Sequence, residues 1–273
     1  MASYDSSRGC YVVRVVYDGP GFAGKTTNLK RVCELIPATR RSEMYTPASL
    51  KGRTMFFDWM EIDGPKQGPN TLKFQLITVP GQIERNYRRR PLVEMADVIV
   101  FVCDSSPEQV PDTMRTFARL RTSMKLRERP VPLVVQANKQ DVDGALRPAS
   151  LKKKLGLTDD DALVSASAAT GKGVQETLRM AVRLGVRTLA GTPVEPLAAS
   201  FANAEALFDH VLTFEDNPQN DEPVEVEEVD VRAEHVELDD AAMAAHLAAS
   251  SFDSLEARAR RAAQRAGKEA ESR

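Results

Sequence analysis

The segment Gly19-Pro20-Gly21-Phe22-Ala23-Gly24-Lys25-Thr26 fits the pattern G-x-x-x-x-G-K-[ST], and its flanks limit what the chain can fold into. Tyr11 to Tyr17 has the Val- and Tyr-rich composition of a buried strand. From Thr27 to Leu35, and at Ile36 just beyond, apolar Leu29, Val32, Cys33 and Ile36 recur at helical spacing. A strand, a glycine loop and a helix in this order can turn successive backbone N–H groups, with the positive end of the helix dipole, toward a polyphosphate. Gly19, Gly21, Ala23, Gly24 and Thr27 are then expected to line the phosphates. Lys25 reaches the terminal phosphates, and the Thr26 hydroxyl is a ligand for Mg2+. The expectation is a nucleoside triphosphate site.

Beyond the loop, strand-like and helix-like stretches alternate, the signature of a mostly parallel sheet covered by helices. Thr54 to Ile62 and Leu72 to Val79 read as an antiparallel edge hairpin, joined through Asp63-Gly64-Pro65 and Gly68-Pro69-Asn70. Asp97 to Cys103, Val131 to Gln136 and Ala162 to Val164 supply further strands. Helices are expected near Thr113 to Lys125, Pro148 to Leu155 and Val174 to Leu189. The predicted fold is α/β, a doubly wound, mostly parallel six-stranded sheet with helices on both faces. Met114, Phe117, Leu120 and Met124 form a core stripe at helical spacing.

Charge divides the chain. Residues 1 to 214 hold 30 Lys and Arg against 23 Asp and Glu, whereas 215 to 240 hold 12 acidic groups and a single basic one, Arg232. The organisation expected is a nucleotide-binding domain over 1–190, an additional helix within 191–214, an acidic disordered linker over 215–240 and an Ala/Arg-rich helix over 241–273. Cys10, Cys33 and Cys103 lack CxxC spacing, which disfavours disulfides and zinc and fits a reducing cytoplasm. No apolar run reaches membrane-spanning length, and no signal-peptide, myristoylation or prenylation pattern is present, so membrane contact is expected only through partners or charge.

Asn138-Lys139-Gln140-Asp141, at the end of a predicted strand, matches N-K-x-D. The Asp141 carboxylate can accept hydrogen bonds from guanine N1–H and the N2 amino group, donors adenine lacks, while the Lys139 stem lies along the base. Ser167-Ala168-Ala169 is the third base-contacting loop expected, with the Ala168 N–H offered to the guanine carbonyl. GTP and GDP are therefore the expected ligands.

Together these motifs resemble the Ras superfamily of small GTPases. Three further segments narrow the resemblance: Gly19 to Leu29, Arg53-Thr54-Met55-Phe56-Phe57-Asp58, and Thr78-Val79-Pro80-Gly81-Gln82, which replaces the common D-x-x-G-Q. Over residues 10 to 190 the chain is similar to MglA-type GTPases of bacterial gliding-motility and polarity systems. The resemblance implies a P-loop small GTPase fold with slow GTP hydrolysis. It makes Thr54 the switch I threonine on Mg2+, places Gly81 at the nucleotide, has Gln82 orient the attacking water, and makes Arg53 an internal arginine finger beside catalytic Lys25. Thr78 stands where most relatives of Ras carry a metal-supporting Asp, so support there must be weaker or water-mediated. Ala169 falls where a lysine is usual.

The resemblance also implies a Roadblock-fold, MglB-type GTPase-activating protein and polarity or motility effectors as partners, with recruitment to a cell pole. Arg85, Arg88, Arg89 and Arg90 follow Gln82 and could engage an acidic partner; nucleic acid is disfavoured by the locality of this cluster and a pI near 6.0. All three histidines, His210, His235 and His246, lie beyond the nucleotide-binding unit, which disfavours histidine-based hydrolysis. A scaffold that binds GTP with little turnover remains the alternative.

Overall fold

The structure is a computed structural model. It describes residues 2–47, 49–50, 53–54, 57–66, 70–80, 86–125, 127, 130–159, 161–191 and 193–215, with backbone alone at 49–50, 53–54, 86–88 and 214–215. The expected acidic linker and terminal helix lie outside the described residues, except for Glu215 at the end of the last described helix.

In chain order the strands are β1 (Ser3–Asp5), β2 (Cys10–Asp18), β3 (Ser49–Leu50), β4 (Arg53–Thr54), β5 (Trp59–Asp63), β6 (Thr71–Thr78), β7 (Val98–Asp104), β8 (Leu133–Asn138), β9 (Ala162–Ser165) and β10 (Glu195–Pro196). The helices are α1 (Lys25–Leu35), α2 (Asn86–Glu94), α3 (Val110–Lys125), α4 (Pro148–Lys154), α5 (Val174–Gly191) and α6 (Ala204–Glu215). β2 runs through the centre. It pairs in parallel with β6 from Cys10↔Thr71 to Tyr17↔Thr78, and along its other edge with β7 from Val15↔Val98 to Asp18↔Phe101. β8 and β9 continue the sheet in parallel, while β5 closes the far edge antiparallel to β6. These six strands are the expected doubly wound frame.

Two departures have physical causes. The sheet has eight strands, because β1 pairs antiparallel with Cys10–Val12, the part of the β2 edge that β7 leaves uncovered, and β10 adds to β1. Arg14 joins this corner: its backbone N–H donates to Asp97 Oδ2 at 2.7 Å, its Nη2 donates to Ser3 Oγ at 2.8 Å, and its guanidinium lies 5.4 Å from the Phe201 ring centroid. The expected strand over 54–62 is also shorter. It begins at Trp59, and Arg53–Thr54 pairs instead with Ser49–Leu50 in a separate ribbon.

Side chains alternate off the two faces into two apolar layers. One packs β2, β6 and β7 against α1 and α5 through Val13, Val15, Leu29, Phe74, Val100, Leu178 and Ala181. The other holds Val16, Ile77, Ile99, Phe101, Leu92, Phe117, Leu120 and Leu151 under α2, α3 and α4. Of the expected α3 stripe, Phe117 and Leu120 are buried and Met124 packs against the layer, with the Phe101 and Phe117 rings edge to face at 5.0 Å, whereas Met114 is half-buried and outside it. Helix α6 joins this second layer by burying Ala204, Leu207 and Val211. Leu207 and Val211 each contribute roughly 1.5–3 kcal/mol of burial before ordering costs. Among the described residues no helix is long and apolar enough to cross a membrane.

Candidate functional site

The glycine loop leaves β2 at Asp18 and enters α1 at Lys25, so the carboxyl end of the central strand faces a helix N-terminus. Gly19 has φ +141°, and a Cβ there would meet the Val102 carbonyl oxygen at 2.3 Å. Gly24 has φ +98°, and its Cβ would lie 2.5 Å from Asn138 Nδ2. Only glycine fits either position. Phe22 takes φ +60° without being glycine and is 66% exposed at the loop crest. Gly21, Thr26 and Thr27 are half-buried, Ala23 is buried, and the Lys25 Nζ folds over the loop to donate to Gly19 O at 2.8 Å and Pro20 O at 2.6 Å. Burial pushes the Lys25 ammonium down to about 8, against the opposing pull of Asp18.

On the other side of the loop the N-K-x-D segment is already tied to its neighbours. Asn138 Nδ2 donates to Ala23 O at 2.7 Å, and the Ala168 N–H donates to Asn138 Oδ1 at 2.8 Å, so one side chain clamps the phosphate loop to the Ser167-Ala168-Ala169 turn. The expected donor to a guanine carbonyl, Ala168 N–H, is thus engaged by Asn138 in this structure. Lys139 takes φ +63° and donates to Asp104 Oδ2 at 2.6 Å, which lays its stem along the loop. Asp141 is exposed at the turn beyond it. Ser167 and Ala168 are buried and Ala169 is exposed; Arg31, on α1, donates to the carbonyls of Ala168 and Ala169. Beneath the clamp, Asn28, Gln136 and Thr177 form a buried network at 2.9 Å spacings, tying α1, β8 and α5 together.

The phosphate end is built from charge. Thr78 lies at the end of β6, and its hydroxyl donates to Asp58 Oδ2 at 2.9 Å. The same carboxylate accepts from Thr26 Oγ1 at 2.5 Å and from Thr46 Oγ1 at 2.9 Å, and it is buried. Asp58 therefore brings a carboxylate to the place where Thr78 lacks one. Asp58 immediately precedes β5, the antiparallel partner of β6. Its signal in the sequence was its place in Arg53-Thr54-Met55-Phe56-Phe57-Asp58. Of the switch residues, Arg53 and Thr54 are placed by their backbone in β4, while Gly81 and Gln82 lie outside the described residues.

Arg89 departs from expectation. It is 8% exposed, so it does not form part of an open basic patch; its Nε donates to Asp18 Oδ1 at 2.8 Å and its Nη2 reaches Asp18 Oδ2. Asp18 Oδ1 also accepts the Gly19 N–H at 2.8 Å. Burial alone would raise the Asp18 carboxyl, but Arg89, the Gly19 N–H and Lys25 outweigh it and hold the group below the usual carboxylate range. Arg90 pairs with Glu94 at the surface. Arg85 and the Arg88 side chain lie outside the described residues.

The sequence pattern of the ADP-ribosylation factor family matches residues 11–183. The chain is 32% identical over 175 residues to the mutual gliding-motility protein MglA of Myxococcus xanthus (strain DK1622), covering 63% of this chain and 89% of that protein. It is 30% identical over 171 residues to ADP-ribosylation factor-like protein 4D of Mus musculus, covering 61% and 79%. A solved structure of the Arl6 small GTPase from Trypanosoma brucei with bound GppNp aligns with a TM-score of 0.49 at 23% identity, over 65% of this chain and 99% of that one. Fold and family match define a P-loop small GTPase, a GTP-binding switch that hydrolyses GTP to GDP and phosphate. The chain belongs to the ADP-ribosylation factor family and is MglA-like.

Proposed function

We propose that this GTPase acts as a polarity or motility switch whose GTP-bound form is read by partner proteins, and that it works with Mg2+. The observation that carries the metal assignment is the Asp58 carboxylate, held by the hydroxyls of Thr26 and Thr78. A buried carboxylate beside a phosphate-loop threonine is a hard oxygen donor set, which suits a cation that keeps several waters and shares phosphate oxygens. Bound Mg2+ would supply charge neutralisation at the β- and γ-phosphates.

In this reading Asp141 selects guanine, Asn138 and Lys139 hold its loop, and Ser167, Ala168 and Ala169 flank the base. Gly19, Gly21, Ala23, Gly24, Lys25, Thr26 and Thr27 hold the phosphates. Thr54 and Gly81 meet the γ-phosphate side. Gln82 orients the water that attacks the γ-phosphorus as the bond to the bridging oxygen of GDP breaks, and Arg53 with Lys25 offsets the charge that develops. Resemblance to MglA supports a Roadblock-fold, MglB-type activating protein, polarity or motility effectors, and recruitment to a cell pole from the cytoplasm through them. The decisive experiment is single-turnover phosphate release with and without a co-encoded Roadblock protein. Stimulation of at least tenfold is expected, and no stimulation would remove that partner class.

A further inference from the structure

Helix α6 lies beyond the stretch that matches the family, yet it packs on the helix that follows the γ-phosphate-sensing segment. We infer that α6 is an internal ligand of the switch surface: it holds α2 in one arrangement and loosens when a γ-phosphate draws the start of α2 toward the nucleotide. The inference rests on the GTP-switch reading above and assigns a role to residues 199–215 within it.

Three observations carry it. First, α6 enters the layer that contains α2. Ala204, Leu207 and Val211 are buried in one apolar cluster with Leu92, Val93, Met95 and Ala96, and with Trp59 and Ile77 of the edge hairpin, while Phe201 and Phe208 pack at its margin. The turn leading into α6 is fastened to the sheet, since Gln75 Nε2 donates to Phe201 O at 3.1 Å and the Phe201 ring lies edge to face with His210 at 5.1 Å. Second, acidic side chains of α6 lie within electrostatic reach of the segment before Asp58. Glu205 and Asp209 act on the Tyr45 phenol, which burial and then these two carboxylates push up. Tyr45 exchanges backbone hydrogen bonds with Trp59 at 2.8 and 2.9 Å, and the next residue, Thr46, donates to Asp58. Third, α2 has a second tether at its other side: Arg89 is seated on Asp18, which also holds the first N–H of the phosphate loop.

Helix α2 is thus caught between the nucleotide loop and α6. Interactions that favour one seat of α2 bias the other, because Arg89 and the Leu92–Val93 face lie within one turn of the same short helix, on either side of Pro91. A partner that uses the apolar face of α2 must displace α6, so α6 sets a threshold for partner binding.

The test uses the full chain loaded with GDP or with a non-hydrolysable GTP analogue. Amide hydrogen exchange across 204–215 is expected to be about tenfold faster with the analogue, within the range of ordinary allosteric coupling. Trp59, the single tryptophan of the chain, is buried in the same cluster and should redshift in parallel. Leu207→Asp with Val211→Asp is expected to give the GDP form the emission of the analogue-bound wild type and to speed GDP release roughly fivefold. Two charges in an apolar layer can unfold the domain, so Leu207→Ala is measured beside it, with about a twofold increase expected. Equal exchange of 204–215 in both nucleotide states, with nucleotide binding intact, overturns this inference alone and makes α6 a fixed part of the core. A chain that binds neither nucleotide overturns the GTP-switch reading and this inference together.

Discussion

The two ends of the nucleotide site are held by different physics. At the base end, Asn138 bridges Ala23 and Ala168 through neutral hydrogen bonds, and the Asn28, Gln136 and Thr177 network beneath is buried and mutually satisfied. Its members come from β8, α1 and α5, elements locked by sheet pairing and by the apolar layer under α5. At the phosphate end the same loop is held by charges: Lys25 on its carbonyls, Asp18 on its first N–H, Arg89 on Asp18, and Asp58 among three hydroxyls. Neutral, satisfied networks specify one arrangement. Charged contacts can be re-partnered when a charged ligand arrives, so the electrostatic end is the one suited to sensing a change of ligand charge.

The sharpest break of this comparison is at the base end. Asp141→Asn should cut the preference for GTP over ATP by ~1,000-fold, because a site built to accept donors loses discrimination when an acceptor oxygen becomes an amide NH2. Competitive displacement of a fluorescent guanine nucleotide by GTP and ATP measures it, and unchanged discrimination would remove Asp141 from base reading. Next comes the charged end. Arg89→Met leaves Asp18 buried without its cation and should cost about 3 kcal/mol of folding stability, read from urea unfolding of the nucleotide-free chain. Adding Asp18→Asn should recover part of that loss, since the pair and not the arginine alone is what must be balanced.

A pH titration separates the ends without mutation. Lys25 sits near 8 in the free protein, and nearby phosphate charges raise it, so binding takes up a proton above pH 8. GTP and GDP affinity should therefore be nearly flat between about pH 7 and 8 and fall above pH 8, by at most about tenfold per pH unit. Guanosine, which lacks phosphates, should not show this slope. Asp18 acts on folding instead: its folded value is lowered, so its stabilising contribution is present above the ordinary carboxylate range and is lost as pH falls through that range toward the lowered value. The smallest effect is expected for Asp58→Asn, which keeps the shape and one acceptor but removes the charge. The Mg2+ concentration for half-maximal GTP hydrolysis should rise roughly fivefold, with GDP affinity in excess EDTA nearly unchanged.

Much of the fold was legible because the nucleotide-binding motifs sit at strand ends, where local pattern and tertiary role coincide. The glycine loop, Lys25, Thr26, Asn138, Lys139 and Asp141 are each recognisable from a few contiguous residues, and β2, β6, β7, β8 and β9 from their apolar runs. What escaped was long-range pairing. Asp58 meets Thr26 across 32 positions and Arg89 meets Asp18 across 71, and neither pair has a local spacing to betray it. Arg89 read as one of a run of arginines suited to an acidic partner, and only packing of α2 against β2 shows that it points inward onto Asp18. β1 and β10 are too short, at 3 and 2 residues, to show a period.

By itself the sequence determined the chemistry that is written in contiguous residues: a phosphate loop, a guanine-type base motif and an alternating α/β order, each set by backbone geometry and side-chain periods that act over a few positions. The tertiary structure alone decided that Asp58 meets Thr26 and Thr78, that Arg89 is buried on Asp18, and that α6 packs on α2. Those outcomes depend on which distant surfaces meet. Burial then decides the pairing, because an uncompensated charge or an exposed apolar face is costly only once its neighbours are in place.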